Sequence, residues 1–503
     1  MTDPRPPTTD EIKRYAAAHH IDLSEEEIEE MMAVISELLG AYERLEELSP
    51  SKPQVKYPNR HAGDEPSTDD DPLNAFIRTC DVSGADSGLL AGYDVGLKDN
   101  ISLANIEMTF GSDVVPEYVP SIDATIVTRL LDAGASITGK LNMENLAFSG
   151  SGEMSAFGPV KNPHDTDHLA GGSSSGSAAA VVTEDVDVAI GGDQAGSIRI
   201  PAAWCGCVGH KPTHGLVPYT GILGLGRSFD HTGPLARSVA DCARVLEAVA
   251  GKDPLDPRQG AVRTQSYTDM TDNDPTPDDL TIGVLEQGFG HEESEPDVDN
   301  TVRDALDAFA ESGAEVTDVS IPMHLDGPPI WNGIANEGTT ATIAGEGIGH
   351  FGNGYYDTDL MEAFAEARRK NANEYPPTVK LVATFGEYLA EEYHSHYYAK
   401  AQNLSRDLAA AYDEALGDVD VLAMPTTPQT PHERIENPSN LQIIERAVNM
   451  LPNTSPFDVT GHPAISVPAG TSDGLPVGVM FVGQHFEDAT VLQAGHSFEQ
   501  CVE

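Results

Sequence analysis

Positive charge, cysteine, tryptophan and long apolar runs are all scarce in this chain. Its 503 residues carry 29 Lys+Arg against 81 Asp+Glu, a formal net charge of −52. A surface of that sign repels phosphate backbones and anionic headgroups over any broad contact, so neither nucleic acid nor a membrane surface is expected as a partner. No segment approaches the ~18 consecutive apolar residues of a membrane-spanning helix. The opening stretch MTDPRPPTTDEIKRY lacks the apolar core of a signal peptide, which points to a soluble, cytoplasmic protein. Five cysteines, odd in number and irregular in spacing, do not make a disulfide framework, and a reducing compartment fits them. The acidic residues are spread along the chain, with local clusters such as EEEIEE and STDDDP, rather than gathered in a tail. So little lysine beside so many carboxylates suits a halophilic protein, because the Debye length shrinks to about 3 Å at 1 M salt and screens the self-repulsion.

What is present is 39% hydrophobic residues, enough for a large core. From Thr9 to about Leu48 the sequence is helical in period. Ser24 and Glu27 form a capping box, and Ile28, Met31, Met32, Ile35, Leu38 and Leu39 form an apolar stripe. The stretch SPSKPQVKYPNRHAGDEPSTDDDP then breaks the pattern. Residues 1–70 are therefore expected to be a small helical domain plus linker, and 71–503 a second, catalytic domain. The stripe needs a partner surface, either the main body or a second copy of the chain. Beyond the linker, strand patterns (YDVGLKD, SITGKL, VDVAIGG, LTIGVL, VDVLAMP) alternate with helical ones (DATIVTRLLDAGA, SAAAVVTE), which predicts an α/β sheet covered by helices.

Three short blocks carry chemistry. GGSSSGS at 171–177 has the composition of a flexible linker, yet it runs straight into the helix former AAAVV. A Gly-rich turn at a helix N-terminus is a place for close backbone approach and for hydroxyls held in fixed positions. After the strand VDVAIGG comes the turn Asp193-Gln194-Ala195-Gly196, followed by Ser197 where a helix could begin. Ser197 reads either as a nucleophile, with the backbone N–H groups of 194–197 near an oxyanion, or as a simple N-cap. Lys98 lies at the probable end of the strand in YDVGLKDNI, where a solvated surface charge is the ordinary reading.

From Ala91 to the C-terminus the sequence resembles the amidase signature enzymes, through GLKDNI, GGSSSGSAAAVV, GGDQAGSIRIPAAWCGCVGHKPTHGLVP, DVTGHPAISVPAG and GLPVGVMFVG. The resemblance implies a large twisted mixed β-sheet covered by helices. It also implies a triad of Lys98, Ser173 in a cis peptide linkage, and the nucleophile Ser197; Ser173 follows Lys98 by 75 residues and precedes Ser197 by 24. The helical N-terminal extension and RSFDHTGPLARS look most like the broad-specificity acylamide amidases that accompany nitrile hydratase, which implies a homodimer paired through the N-terminal unit and a small-molecule amide as substrate. Where many members have Gly, this chain has Ala195, so φ < 0 is expected there.

The implied chemistry needs no cofactor or metal. Ser197 attacks the amide carbonyl, Ser173 relays its proton to a desolvated Lys98, the turn at Gln194, Ala195 and Gly196 receives the oxyanion, and water releases the acid. Phe148 and Trp331 are candidate apolar walls, and Gln194 a candidate contact to the amide. The rivals are a zinc site at Cys205, Cys207, His210 and His214, Cys205 as a thiol nucleophile, the amidase component of a tRNA-dependent amidotransferase, and a non-catalytic binding member of the fold.

Overall fold

The computed structural model describes residues 4–116, 118–272, 276–350 and 352–502. The chain divides into two compact units, Met1–Gln54 and Val55–Glu503, with the division inside the Pro- and Asp-rich stretch.

In the first unit the predicted helical stretch is two helices, α1 (Thr9–Ala18) and α2 (Glu25–Glu46). Each begins with a reciprocal capping box, Thr8 with Glu11 and Ser24 with Glu27, in which the hydroxyl accepts the N3 amide and the carboxylate accepts the cap amide. The break between them falls at His20, whose φ of +59° stops α1. Along α2 Ile28 is buried, Met32, Ile35 and Leu39 are half-buried, and Met31, Val34, Leu38, Tyr42 and Leu45 are exposed.

The second unit is built on one mixed sheet. Its strands are β1 (Phe76–Ser83), β2 (Asp94–Lys98), β3 (Ser136–Leu141), β4 (Val188–Asp193), β5 (Val208–Lys211), β6 (His231–Ala236), β7 (Thr281–Leu285), β8 (Glu315–Val319), β9 (Val421–Pro425), β10 (Ala464–Ser472) and β11 (Leu475–Val482). They lie in the order β1-β3-β2-β4-β6-β5-β10-β11-β9-β7-β8. β3, β2 and β4 are mutually parallel, as are β8, β7 and β9, and antiparallel pairs join the two sets through β6, β5, β10 and β11. β4 is buried at all six positions, which is why VDVAIGG reads as a continuous apolar run without alternation.

Helices cover the sheet. α3 (Thr125–Asp132) turns Ile126, Val127, Leu130 and Leu131 into the core. α4 (Ser175–Val182) is made of small residues because it runs close to neighbouring chain: a Cβ on Gly176 would collide with the Ala75 carbonyl and the Asn142 backbone. The linker segment after Gln54 belongs to this unit. Its Arg60 forms a bidentate, buried pair with Asp123 at 2.6 Å on both arms, and Lys56 reaches Asp132 at 2.6 Å. Among the described residues no helix is long and apolar enough to cross a membrane.

Candidate active site

β2 and β4 run parallel with Leu97 opposite Ile190, so both end at the same edge of the sheet. Carboxyl ends of parallel strands are where α/β sheets place their ligand sites. Lys98 is the last residue of β2, Gly192 and Asp193 are the last of β4, and the loop 171–174 leads α4 to the same place.

Lys98 is fully buried there. Its Nζ donates to Ser173 Oγ at 2.6 Å and to the Gly192 carbonyl at 3.3 Å. Burial pushes its pKa down to about 7, only partly opposed by the carboxylates of Asp193, Glu144 and Asp230. The Gly172–Ser173 peptide is cis. Ser174 ties the loop to β4: its Oγ donates to the Gly192 carbonyl at 3.1 Å and accepts the Gly192 amide at 3.2 Å, while its own amide donates to the Ser197 carbonyl at 3.2 Å. Thus GGSSSGS is a buried loop running into the first turn of α4, not a linker.

Ser197 is 5% exposed and precedes the N-cap Ile198 of α5 (Arg199–Cys205), so it does not occupy the cap position. The turn before it is braced from several sides. Trp331 Nε1 donates to the Gln194 carbonyl at 2.7 Å, Thr454 Oγ1 donates to the Ala195 carbonyl, and Gln194 Nε2 donates to Tyr219 Oη at 3.0 Å. Ala195 has no positive φ, as expected from its Cβ, and the left-handed conformation falls on Gly196 at φ +129°. The Gly196 amide donates to Asp193 Oδ1 at 2.5 Å, while Gln194, Ala195 and Ser197 line the cleft.

Asp193 and Arg199 escaped the sequence reading. The Asp193 carboxylate receives the amides of Gly196 and Ile198 and a fork from Arg199, with Nε and Nη2 each at 3.0 Å; Arg199 also reaches Asp458 at 2.8 Å. Burial disfavours the Asp193 charge, but the Arg199 guanidinium outweighs it and holds the acid well below the usual carboxylate range. The signal was visible as the acid and base flanking Ser197 in DQAGSIR. Glu144, also unread, lies under the cis bond, accepting the amides of Gly152, Glu153 and Met154 and donating its own amide to the Ser173 carbonyl. Burial lifts its pKa to about 7.

In front of Ser197 opens a cleft of about 230 Å³. Gln194, Ala195, Phe148 and Trp331 line it together with Ser197, and so do Leu225, Leu381, Phe385 and Val448, which come from chain segments with no motif to mark them. No charged side chain is among its lining residues.

The rival residues are not assembled into a site. Cys205 Sγ points to the Ala170 carbonyl, His210 to Asp488, and His214 to the Arg227 carbonyl; the group of metal-ligating residues that does converge among the described residues excludes all four. Burial pushes the Cys205 thiol far above its ordinary pKa, opposite to what a thiolate nucleophile requires.

Residues 77–492 match the Amidase family model. An enantioselective amidase of Rhodococcus rhodochrous is 41% identical over 507 aligned residues, covering 100% of this chain and 97% of that protein. The A component of the glutamyl-tRNA(Gln) amidotransferase of Haloarcula marismortui is 39% identical over 430 residues, covering 84% of this chain and 98% of its own length. Among solved structures, the corresponding A component of the Thermotoga maritima glutamyl-tRNA(Gln) amidotransferase superposes with a TM-score of 0.70 at 31% identity, covering 86% of this chain and 88% of that one. With fold and sequence in agreement over most of its length, the chain belongs to the amidase signature family and is a hydrolase of amide C–N bonds.

Proposed function

We propose that the protein is an acylamide amidohydrolase that releases ammonia from small apolar carboxamides through an acyl-enzyme on Ser197. Ser197 attacks the carbonyl and gives its proton through Ser173 to Lys98, which burial keeps neutral enough to accept it near pH 7. The amides of Gln194 and Ala195 stabilise the oxyanion, held in place by the bonds from Trp331 and Thr454 to the carbonyls of that turn. Ser173 returns the proton to the leaving ammonia, and water releases the acid by the same relay. No metal or cofactor takes part in this scheme. We place the working form as a homodimer paired through residues 1–70, which requires no contribution from the partner to the cleft.

The observation that carries the substrate reading is the cleft lining. Its walls, Phe148, Leu225, Trp331, Leu381 and Phe385 among them, suit an aliphatic or aromatic acyl group. Free glutamine would bring an ammonium and a carboxylate into a space with no charged side chain to meet them, at the cost of desolvating both. This favours the amidase reading over the amidotransferase reading, and the alignment with the Rhodococcus amidase across the whole chain supports it. A panel of aliphatic and aromatic amides assayed for ammonia release, with glutamine beside them, is the test. Turnover of the apolar amides well above glutamine is expected; glutamine as the best substrate overturns the reading.

A further inference from the structure

Away from the cleft, one helix and the ends of two strands bring three ligating side chains together. Asp413 lies near the end of the helix His396–Ala415, His462 follows the short helix Pro456–Thr460 and leads into β10, and His485 follows β11. One ligand atom from each lies within 4.8 Å of the others. His462 Nε2 is 3.2 Å from Asp413 Oδ1, and His485 Nδ1 is 3.8 Å from the same oxygen.

Thr460 holds the outer nitrogen of each ring. His485 Nε2 donates to the Thr460 carbonyl at 2.8 Å, and His462 Nδ1 is 3.0 Å from Thr460 Oγ1. The inner nitrogens face one carboxylate: His462 Nε2 is hydrogen-bonded to Asp413 Oδ1 at 3.2 Å, and His485 Nδ1 is 3.8 Å from the same oxygen. Two ring nitrogens and a carboxylate thus converge, and a cation entering there displaces the proton that His462 and Asp413 share.

We propose that Asp413, His462 and His485 form a binding site for a borderline divalent transition-metal ion of the Zn²⁺ or Co²⁺ class. Imidazole and carboxylate ligands suit that class. Bonds of about 2.0–2.2 Å in tetrahedral geometry put ligand atoms about 3.3 Å apart, against 3.2 and 3.8 Å from Asp413 Oδ1 to the two ring nitrogens, so a small inward turn of His485 completes the set. The hydrogen bonds from Thr460 supply the outer contacts that orient metal-binding histidines. Bound there, the ion ties the helix His396–Ala415 to the ends of the β10–β11 pair, a structural role separate from the chemistry at Ser197.

The test uses the full-length protein, stripped with a chelator and titrated with Co²⁺ and then with Zn²⁺. One Co²⁺ per chain is expected, with the visible absorption of a nitrogen- and oxygen-ligated ion, displaced by Zn²⁺. The melting temperature should climb with the logarithm of free metal once the site saturates, and Mg²⁺ should produce no such rise. His485→Gln and Asp413→Asn should each weaken Co²⁺ at least about 100-fold, beyond the roughly 10–100-fold that losing an outer partner costs. Asp413, whose side chain is 54% exposed against 35% for His485, tolerates substitution best, so Asp413→Asn decides the matter if His485→Gln misfolds. Absence of stoichiometric Co²⁺, or Co²⁺ held equally well by His485→Gln, overturns the proposal. A melting temperature that ignores Co²⁺ overturns it too.

Discussion

At the scale of single residues, the proposed chemistry depends on an amine made weakly basic by its surroundings. Ser197→Ala removes the proposed nucleophile, and ammonia release should fall to background with no acyl-enzyme detectable by mass spectrometry. Lys98→Ala should be nearly as damaging, and Lys98→Arg should not rescue it, because a guanidinium stays protonated. Ser173→Ala interrupts a relay that a water can partly replace, so a loss of the order of 10²–10⁴-fold is expected. A covalent acyl adduct on another residue in Ser197→Ala, or full activity in Lys98→Ala, contradicts these roles. Lys98 must be neutral to accept a proton. With its pKa lowered to about 7, kcat/KM should rise with pH through 7 and lose about tenfold per unit below it. Glu144 titrates in the same window, so Glu144→Gln should leave that acid limb standing. An acid limb that disappears in this variant assigns it to Glu144.

One element, the turn from β4 into α5, decides whether Ser197 is aimed. Its backbone is fixed by Asp193 from within and by Trp331 and Thr454 from outside. Gly196 alone takes φ +129° there, and a Cβ on it would run into Thr454 Oγ1 and Ile200 Cδ1. Gly196→Ala should therefore abolish activity and lower the melting temperature. Ala195→Gly, one position earlier at a residue without positive φ, should retain most activity and cost on the order of 1 kcal/mol or less in chemical denaturation. The reverse order of severity would show that the strain sits on Ala195. Beneath the turn, Arg199 is the buried partner of two acids, and removing one member of such a network leaves uncompensated charge.

For the whole molecule, a formal charge of −52 makes the compact state repel itself wherever salt does not screen it. Thermal melts from low to multimolar KCl should show a rising melting temperature; a flat or falling curve contradicts a halophilic protein. Assembly is the other property of this scale. Val34, Leu38 and Tyr42 recur along α2 at helical spacing and are exposed, so they form the face we assign to the dimer. Val34→Lys combined with Leu38→Lys should convert a dimer into a monomer by light scattering, with ammonia release retained. A mass that does not change removes α2 from the interface.

The residues to which we assign the chemistry stood out in the sequence because the demands on them are local. A Gly-rich turn before a helix, a small-residue helix that must approach its neighbours, and a capping box at Ser24 each follow from constraints within a few positions of the chain. The helical period of 9–48 was legible as well, but its interruption at His20 was not, since a single left-handed residue leaves no mark on periodicity. Strand and helix alternation announced an α/β sheet, while the eleven-strand order, with parallel sets joined by antiparallel pairs, depends on pairings between residues far apart in sequence. The same holds for the site. The sequence could place Lys98, Ser173 and Ser197 at element ends, but only the parallel pairing of β2 with β4 puts Lys98 Nζ within 2.6 Å of Ser173 Oγ. Only burial at that edge, which no neighbour in sequence provides, takes a lysine from its ordinary value down to about 7. The apolar cleft walls Leu381, Phe385 and Val448 likewise come from segments that carry no pattern of their own, and Asp413, His462 and His485 come from segments apart in sequence that no local rule joins.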